Sequence, residues 1–172
     1  ARADADLIKQ LCGKVSAQGA HDLEKKIEAL QQQLKDTEKD LQRLKMREAS
    51  DTANALIKED VKLIGGIPAI IAELPGVTSD ELQQIVFCLK DSFDGVVVLA
   101  SHFAQGDGSR AVCLMATVGE PFRPKLQAGK IIQTIAPIVG GKGGGKPDFA
   151  RGGGKDVSKV DAALAEAQKL VG

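Results

Sequence analysis

The apolar positions in the first third of the chain repeat at heptad spacing. From Ala20 to Leu44 they recur in alternating steps of three and four residues, and nearly all residues between them are charged or amide side chains. This pattern predicts an amphipathic helix over about residues 20–58, preceded by a shorter helix over 3–16. Because one helix cannot bury its own apolar stripe, we expect a dimer or packing seam. Its predicted members are Leu23, Ile27, Leu30, Leu34, Leu41 and Leu44.

After Asp60 the periodic pattern gives way to short apolar runs separated by Gly and Pro. The fold class predicted is α+β. A long, coiled-coil-like helical hairpin or arm over residues 1–59 precedes a small α/β domain over 60–172, which has a sheet of four or more strands and flanking helices. Strands are predicted at 61–64, 68–74, 96–100 and 110–118, and helices after Thr78 or Ser79, over 125–139, and after Asp156 or Ser158.

Composition narrows the possible functions. Lys and Arg number 23 and so do Asp and Glu, so an anionic partner would have to be recognised by a local patch. Aromatic residues are only 3%, with no Trp or Tyr, which argues against single-strand binding through stacked bases. Cys12, Cys88 and Cys113 are widely spaced and fit reduced thiols, and no metal spacing or nucleophile–base pair is visible. No apolar run approaches membrane-spanning length.

A glycine-rich loop predicted at residues 140–155 is the strongest candidate for a functional site. Eight of its sixteen residues are Gly and four are Lys or Arg. It matches GxxxxGK, but Pro147 stands where a phosphate-binding loop needs Ser or Thr, and Lys146 breaks a dinucleotide-binding GxGxxG. A GxxG clamp of the KH type would need a second helix where Pro147 lies. An anion-binding backbone surface and a charged flexible hinge both stay open.

The run GGKGGGKPDFARGGG, together with the heptad helix and the terminal helix, resembles the C-terminal region of alanyl-tRNA synthetases. The family's signature there is GGxGGG[RK]PD followed by a second glycine cluster. A related glycine loop occurs in DHH-family phosphoesterases, whose catalytic Asp and His motifs are missing here. The resemblance covers essentially the whole chain.

The resemblance implies a non-catalytic, tRNA-positioning domain that contacts the outer corner of tRNA and links aminoacylation with editing. The alternative is a dimerisation or structural module with little RNA contact. The implied partners are tRNA for alanine, the upstream catalytic and editing domains and a second copy of the chain, in the cytoplasm. No cofactor is expected here, because ATP and zinc would belong to the upstream domains.

We predict two sets of tRNA-contacting residues, the second weaker than the first. The first combines cations that attract phosphates with glycines that allow close backbone approach. It consists of Lys142, Gly143, Gly144, Gly145, Lys146, Arg151 and Lys155. The second consists of Arg110, Arg123, Lys125 and Lys130.

Overall fold

The computed structural model describes all 172 residues of the chain. The chain divides into two compact units, Ala1–Lys45 and Met46–Gly172. The predicted boundary at residue 60 follows the end of the long helix, whereas the compact units divide within that helix. Ala49, Ala53 and Leu56 account for the difference, because they are buried in a core of the second unit.

The first unit is helical. Helix α1 spans Arg2–Val15 and ends at Ser16, which adopts a left-handed conformation, and helix α2 spans Ala20–Glu59. The long helix predicted from the heptad pattern is therefore confirmed. Five predicted seam residues are between 42% and 61% exposed, so the stripe is uncovered in the single chain: Ile27, Leu30, Leu34, Leu41 and Leu44. What covers the stripe stays a prediction.

The second unit is built on one six-stranded sheet. Its strands are β1 (Val61–Ile64), β2 (Ile67–Glu73), β3 (Val96–Ala104), β4 (Arg110–Val118), β5 (Lys142–Gly145) and β6 (Phe149–Gly154). Its helices, besides the end of α2, are α3 (Ser79–Ser92), α4 (Ala128–Ile135) and α5 (Val160–Val171). Short 3-10 turns at Glu120–Phe122, Ala136–Val139 and Val157–Lys159 complete the unit.

The strands lie in the order β1-β2-β3-β4-β6-β5. Only β2 and β3 are parallel, joined through α3, and all other neighbours are antiparallel. Apolar residues fill both faces of the central strands, as expected for a sheet covered on two sides. Helices α4 and α5 pack on one face, and α3 with the end of α2 packs on the other. The predicted α+β class is confirmed.

The glycine-rich stretch differs most from its prediction. The sequence predicts a loop here, but the segment forms β5 and β6, an antiparallel hairpin whose second strand inserts beside β4. Glycine is disfavoured in strands because it gains no side-chain packing and loses more backbone entropy. Here glycine is required because the neighbouring helix α4 packs directly against the hairpin.

Helix α4 is shorter than the helix predicted over 125–139. The last turn of the predicted helix is a 3-10 turn that contains Pro137, which lacks an N–H donor.

Helix α4 lies too close to the hairpin for side chains to fit between them. A Cβ atom at Gly143 would fall 2.5 Å from Cγ2 of Ile132, and one at Gly152 would fall 2.8 Å from the same atom. A Cβ at Gly129 would fall 2.6 Å from the carbonyl oxygen of Gly145. None of these glycines has a positive φ, so close packing rather than backbone conformation requires them. Gly140, at φ 71°, is the exception where the chain turns into β5.

We expect Gly143→Ala to destabilise the second unit by about 1–3 kcal/mol, because the new methyl group overlaps Ile132 and the backbone of Gly152. Gly144→Ala is the matched control in the same strand, where the methyl group meets only the movable end of Gln133 at 3.3 Å. This control should be neutral or stabilising by up to about 1 kcal/mol. Urea denaturation measures both, and equal effects would contradict the close-packing explanation.

Candidate nucleic-acid interface

The turn of the β5–β6 hairpin is tied to the start of α4. The Lys146 N–H donates to the Phe149 carbonyl at 2.9 Å and closes a two-residue turn at Pro147 and Asp148. The N–H groups of Ala128 and Gly129 donate to the Pro147 and Lys146 carbonyls at 3.0 and 3.1 Å. The first N–H groups of a helix have no partner within it, so the hairpin satisfies them. Helix and turn therefore hold each other in place.

Strand pairing determines which side chains share a face of the hairpin. Opposed residues of antiparallel strands point to the same side. Gly152 lies opposite Leu114, a member of the core on the α4 side, whereas Arg151 lies opposite Met115, a member of the core on the α3 side. Lys142 is opposite Gly153, which in turn is opposite Cys113 of the α3-side core. Lys142 and Arg151 therefore project from the face that α4 leaves free.

Two depressions lie side by side on this free face, and Arg151 borders both. The first, here called the Cys113 depression, has a volume of about 340 Å³ and the second, the Phe87 depression, about 360 Å³. The Cys113 depression is lined by Ser79, Phe103, Val112, Cys113, Lys142, Arg151, Gly152 and Gly153. The Phe87 depression is lined by Phe87, Lys90, Gly144, Gly145, Lys146, Asp148, Phe149, Ala150 and Arg151.

The charge of the two depressions is positive. Lys142, Lys146 and Arg151 are exposed and form no salt bridge. The one carboxylate among the lining residues, Asp148, accepts a hydrogen bond from Lys90 Nζ at 2.8 Å. That bond is the main reason why the pKa of Asp148 lies below its ordinary value, and partial burial opposes it. Three cationic side chains without salt-bridge partners thus surround glycine backbone of the hairpin.

The structure brings together most of the first predicted set of tRNA-contacting residues. Lys142, Lys146, Arg151 and the glycines 143–145 all belong to the hairpin. The Cβ position of Gly143 is occupied by Ile132 of α4, however, and that of Gly145 by Phe149 and Ala150 of β6. Lys155 follows β6 at the opposite end from the turn and lines neither depression. Whether these residues contact RNA stays a prediction.

The second predicted set is dispersed. Arg110 begins β4 beside Ala104, and Arg123 donates from Nε to the Val118 carbonyl at 3.3 Å. Lys125 and Lys130 border a smaller groove of about 210 Å³ next to α4, together with Leu170. The structure therefore shows no single patch formed by these four residues.

A scan against family models matches residues 66–172 to the DHHA1 domain. The chain belongs to the DHHA1 domain family. An alanine–tRNA ligase of Bordetella pertussis is 33% identical over 168 residues, which are 98% of this chain and 19% of the relative. One of Fusobacterium nucleatum is 34% identical over 169 residues, again 98% of this chain and 19% of the relative. The chain thus spans about a fifth of the length of these relatives.

Among solved structures, the C-Ala domain of Aquifex aeolicus alanyl-tRNA synthetase has a TM-score of 0.55. It is 22% identical, and the alignment covers 64% of this chain and 96% of that one, which shows a shared fold. Together the comparisons confirm the resemblance to the C-terminal region of alanyl-tRNA synthetases.

The cysteine thiols are the other chemically reactive groups of the chain. Burial raises the pKa of the Cys113 thiol, and its contact with Ser79 Oγ at 3.6 Å and the charge of Arg151 oppose that effect less strongly. All three cysteines are free thiols. The structure contains no group of three or more His, Cys, Asp or Glu side chains suited to a metal ion. None of its helices is long and apolar enough to cross a membrane.

Sequence reasoning missed two residues of the Phe87 depression, Phe87 and Lys90. Both lie on α3, beside the buried stripe of Leu82, Ile85 and Leu89. The available signal was that a large aromatic residue falls outside this stripe on an amphipathic helix. Only the fold shows that this side of α3 borders the glycine hairpin of the DHHA1 domain.

We expect Asp148→Asn to lower the free energy of unfolding by up to about 1 kcal/mol near pH 7, because the pair with Lys90 is partly exposed. A carboxylate whose pKa is depressed by folding stabilises the protein above its unfolded pKa. That stabilisation is lost as pH falls through the folded pKa. The difference between variant and parent should therefore shrink below about pH 4. Denaturation at several pH values checks this, with exposed, unpaired Asp51→Asn as the control. A difference that is constant with pH would contradict the ion-pair interpretation.

Proposed function

We propose that this chain is the tRNA-contacting C-terminal domain of an alanine–tRNA ligase. The names of the relatives and the shared fold with a C-Ala domain support this assignment to a parent enzyme. Because the chain spans about a fifth of those relatives, the ligase reaction and its use of ATP and zinc belong to the proposal for the parent protein. In it, this domain positions tRNA for the aminoacylation and editing sites.

The observation that carries the proposal is the free face of the hairpin. Lys142, Lys146 and Arg151 form no salt bridge and border glycine backbone without side chains. Lys and Arg that neutralise phosphates release counterions, and bare backbone lets a phosphate chain come close. Folded RNA corners are recognised largely by shape and by phosphate and 2′-OH contacts. A local cationic surface of this kind suits an RNA partner although the chain has no net charge.

We expect Lys142→Gln, Lys146→Gln and Arg151→Gln each to weaken binding of the chain to tRNA for alanine. Each should also make the dependence of log K on log salt shallower by about one unit, since one phosphate contact is lost. Filter binding or anisotropy across a salt series measures both quantities. Lys155→Gln should have a smaller effect, because Lys155 borders neither depression.

Lys62→Gln provides the charge-matched control. Lys62 is exposed on β1, at the opposite edge of the sheet from β5. Equal losses for Lys62→Gln and Arg151→Gln would contradict this site while leaving tRNA binding intact. Unchanged affinity in all three hairpin variants would contradict it as well.

The exposed heptad stripe of α2 supports a second candidate function, a dimerisation or structural module of the same enzyme. Leu30 and Leu34 are 49% and 61% exposed in a row of apolar side chains at heptad spacing. Such a stripe loses its contact with water when a matching helix packs on it.

If the second function holds, sedimentation should show an oligomer that depends on concentration, and Leu30→Lys with Leu34→Lys should abolish it. Glu28→Lys with Lys35→Glu exchanges charges on the same exposed helix and is the control. A monomer at high concentration would contradict this function and leave the tRNA proposal untouched.

A further inference from the structure

Phe87 is an exposed aromatic side chain at the border of a cationic depression. It is 43% exposed and belongs to neither apolar core. The chain has 3% aromatic residues and no Trp or Tyr, and one of its five Phe residues lies at this exposed position on α3. Exposed apolar side chains are common singly, so the significance of Phe87 depends on what surrounds it.

Phe87 is held by a second aromatic ring. Its centroid lies 5.4 Å from that of Phe149, with 42° between the ring planes. Phe149 begins β6 and packs partly buried against the α3-side core. Aromatic pairs at this separation attract each other. Phe87 is therefore fixed against an anchored neighbour and still exposes two-fifths of its surface.

The charges around Phe87 determine what can occupy the depression. Lys146 and Arg151 line it without salt-bridge partners, and Lys90 is neutralised by Asp148 at 2.8 Å. No other titratable side chain lines it. An occupant must therefore combine a flat apolar surface for Phe87 with an anionic group for Lys146 and Arg151. Gly144 and Gly145 also line the depression, and their backbone is accessible to an occupant because they have no side chains. A nucleotide joins both parts in one unit, whereas inorganic phosphate has only the anionic group.

We propose that Phe87 stacks on one unpaired nucleobase of the bound RNA, while Lys146 and Arg151 hold the adjoining phosphates. This inference rests on the proposed function and adds a contact to the base itself. Every base has a π-face, so the contact selects for an accessible base rather than for one base identity. It directs the domain to folded RNA that exposes a base, and away from a continuous duplex.

The test compares a polyanion that carries bases with one that does not. Binding of the chain to tRNA for alanine and to inorganic polyphosphate is measured for the parent, Phe87→Ala and Lys146→Gln. Loss of one stacking contact should weaken tRNA binding about 5- to 150-fold in Phe87→Ala, with an unchanged salt slope. Polyphosphate binding by that variant should stay unchanged. Lys146→Gln should weaken binding to both polyanions.

Phe87→Leu is the matched variant, because it keeps an apolar contact with Phe149 but lacks a π-face. It should bind tRNA as weakly as Phe87→Ala, and thermal unfolding checks that both variants are folded.

A second test uses tryptophan fluorescence, because the chain has no Trp or Tyr that would add to the signal. Phe87→Trp introduces the only indole of the chain, and a base stacked on it should quench its emission on addition of tRNA but not of polyphosphate. Leu63→Trp is the control, since Leu63 is 77% exposed on β1 at the opposite edge of the sheet. Its emission should not change.

The outcomes separate this inference from the proposed function. Parent-like tRNA affinity in Phe87→Ala, with a loss in Lys146→Gln, would overturn stacking and leave tRNA binding in place. Equal quenching at positions 87 and 63 would also overturn stacking. A parent chain that does not bind tRNA would overturn the proposed function and the inference together.

Discussion

The close contact between helix α4 and the glycine hairpin is the constraint on which the second unit depends. Cγ2 of Ile132 lies within 2.8 Å of where Cβ atoms of Gly143 and Gly152 would be, and the hairpin turn satisfies the first N–H groups of α4. A helix and a strand pair approach this closely only when one surface lacks side chains. The hairpin would otherwise be a poor pair of strands. Packing against α4 and the pairing of β6 with β4 together stabilise the hairpin, and helix and hairpin form one structural element.

That contact also decides where the charged residues can point. With the α4 side closed, the alternation of side chains along a strand leaves only the α3 side for Lys142 and Arg151. Glycine on one face and cations on the other are thus two results of one arrangement. Although the chain has no net charge, the free face of the hairpin is positive. The only carboxylate that borders its depressions, Asp148, is paired with Lys90. Local geometry therefore says more about partners here than total charge.

Much of the fold follows from periodicity alone. The apolar run that begins at Val96, the N-cap candidate Thr78 and the heptads of α2 predict their elements because local physics and tertiary packing agree. The glycine stretch could not be predicted as strands, because its local propensity points to a loop and only packing by α4 reverses it. The cations of the site were visible as a cluster in sequence. Phe87 was not, since the hairpin residues that line the depression with it are more than fifty positions away in sequence.

The position of β6 within the sheet has a consequence for folding. It is the last strand in the sequence, yet it lies inside the sheet, between β4 and β5. Until residues 149–154 are available, β4 has an unpaired edge, and the apolar side chains beneath α4 have no completed layer to pack on. The pairing that closes the sheet is long-range and carries the entropic cost of closing large loops. Completion of this unit therefore depends on β6, which is synthesised after the two strands that it joins, β4 and β5.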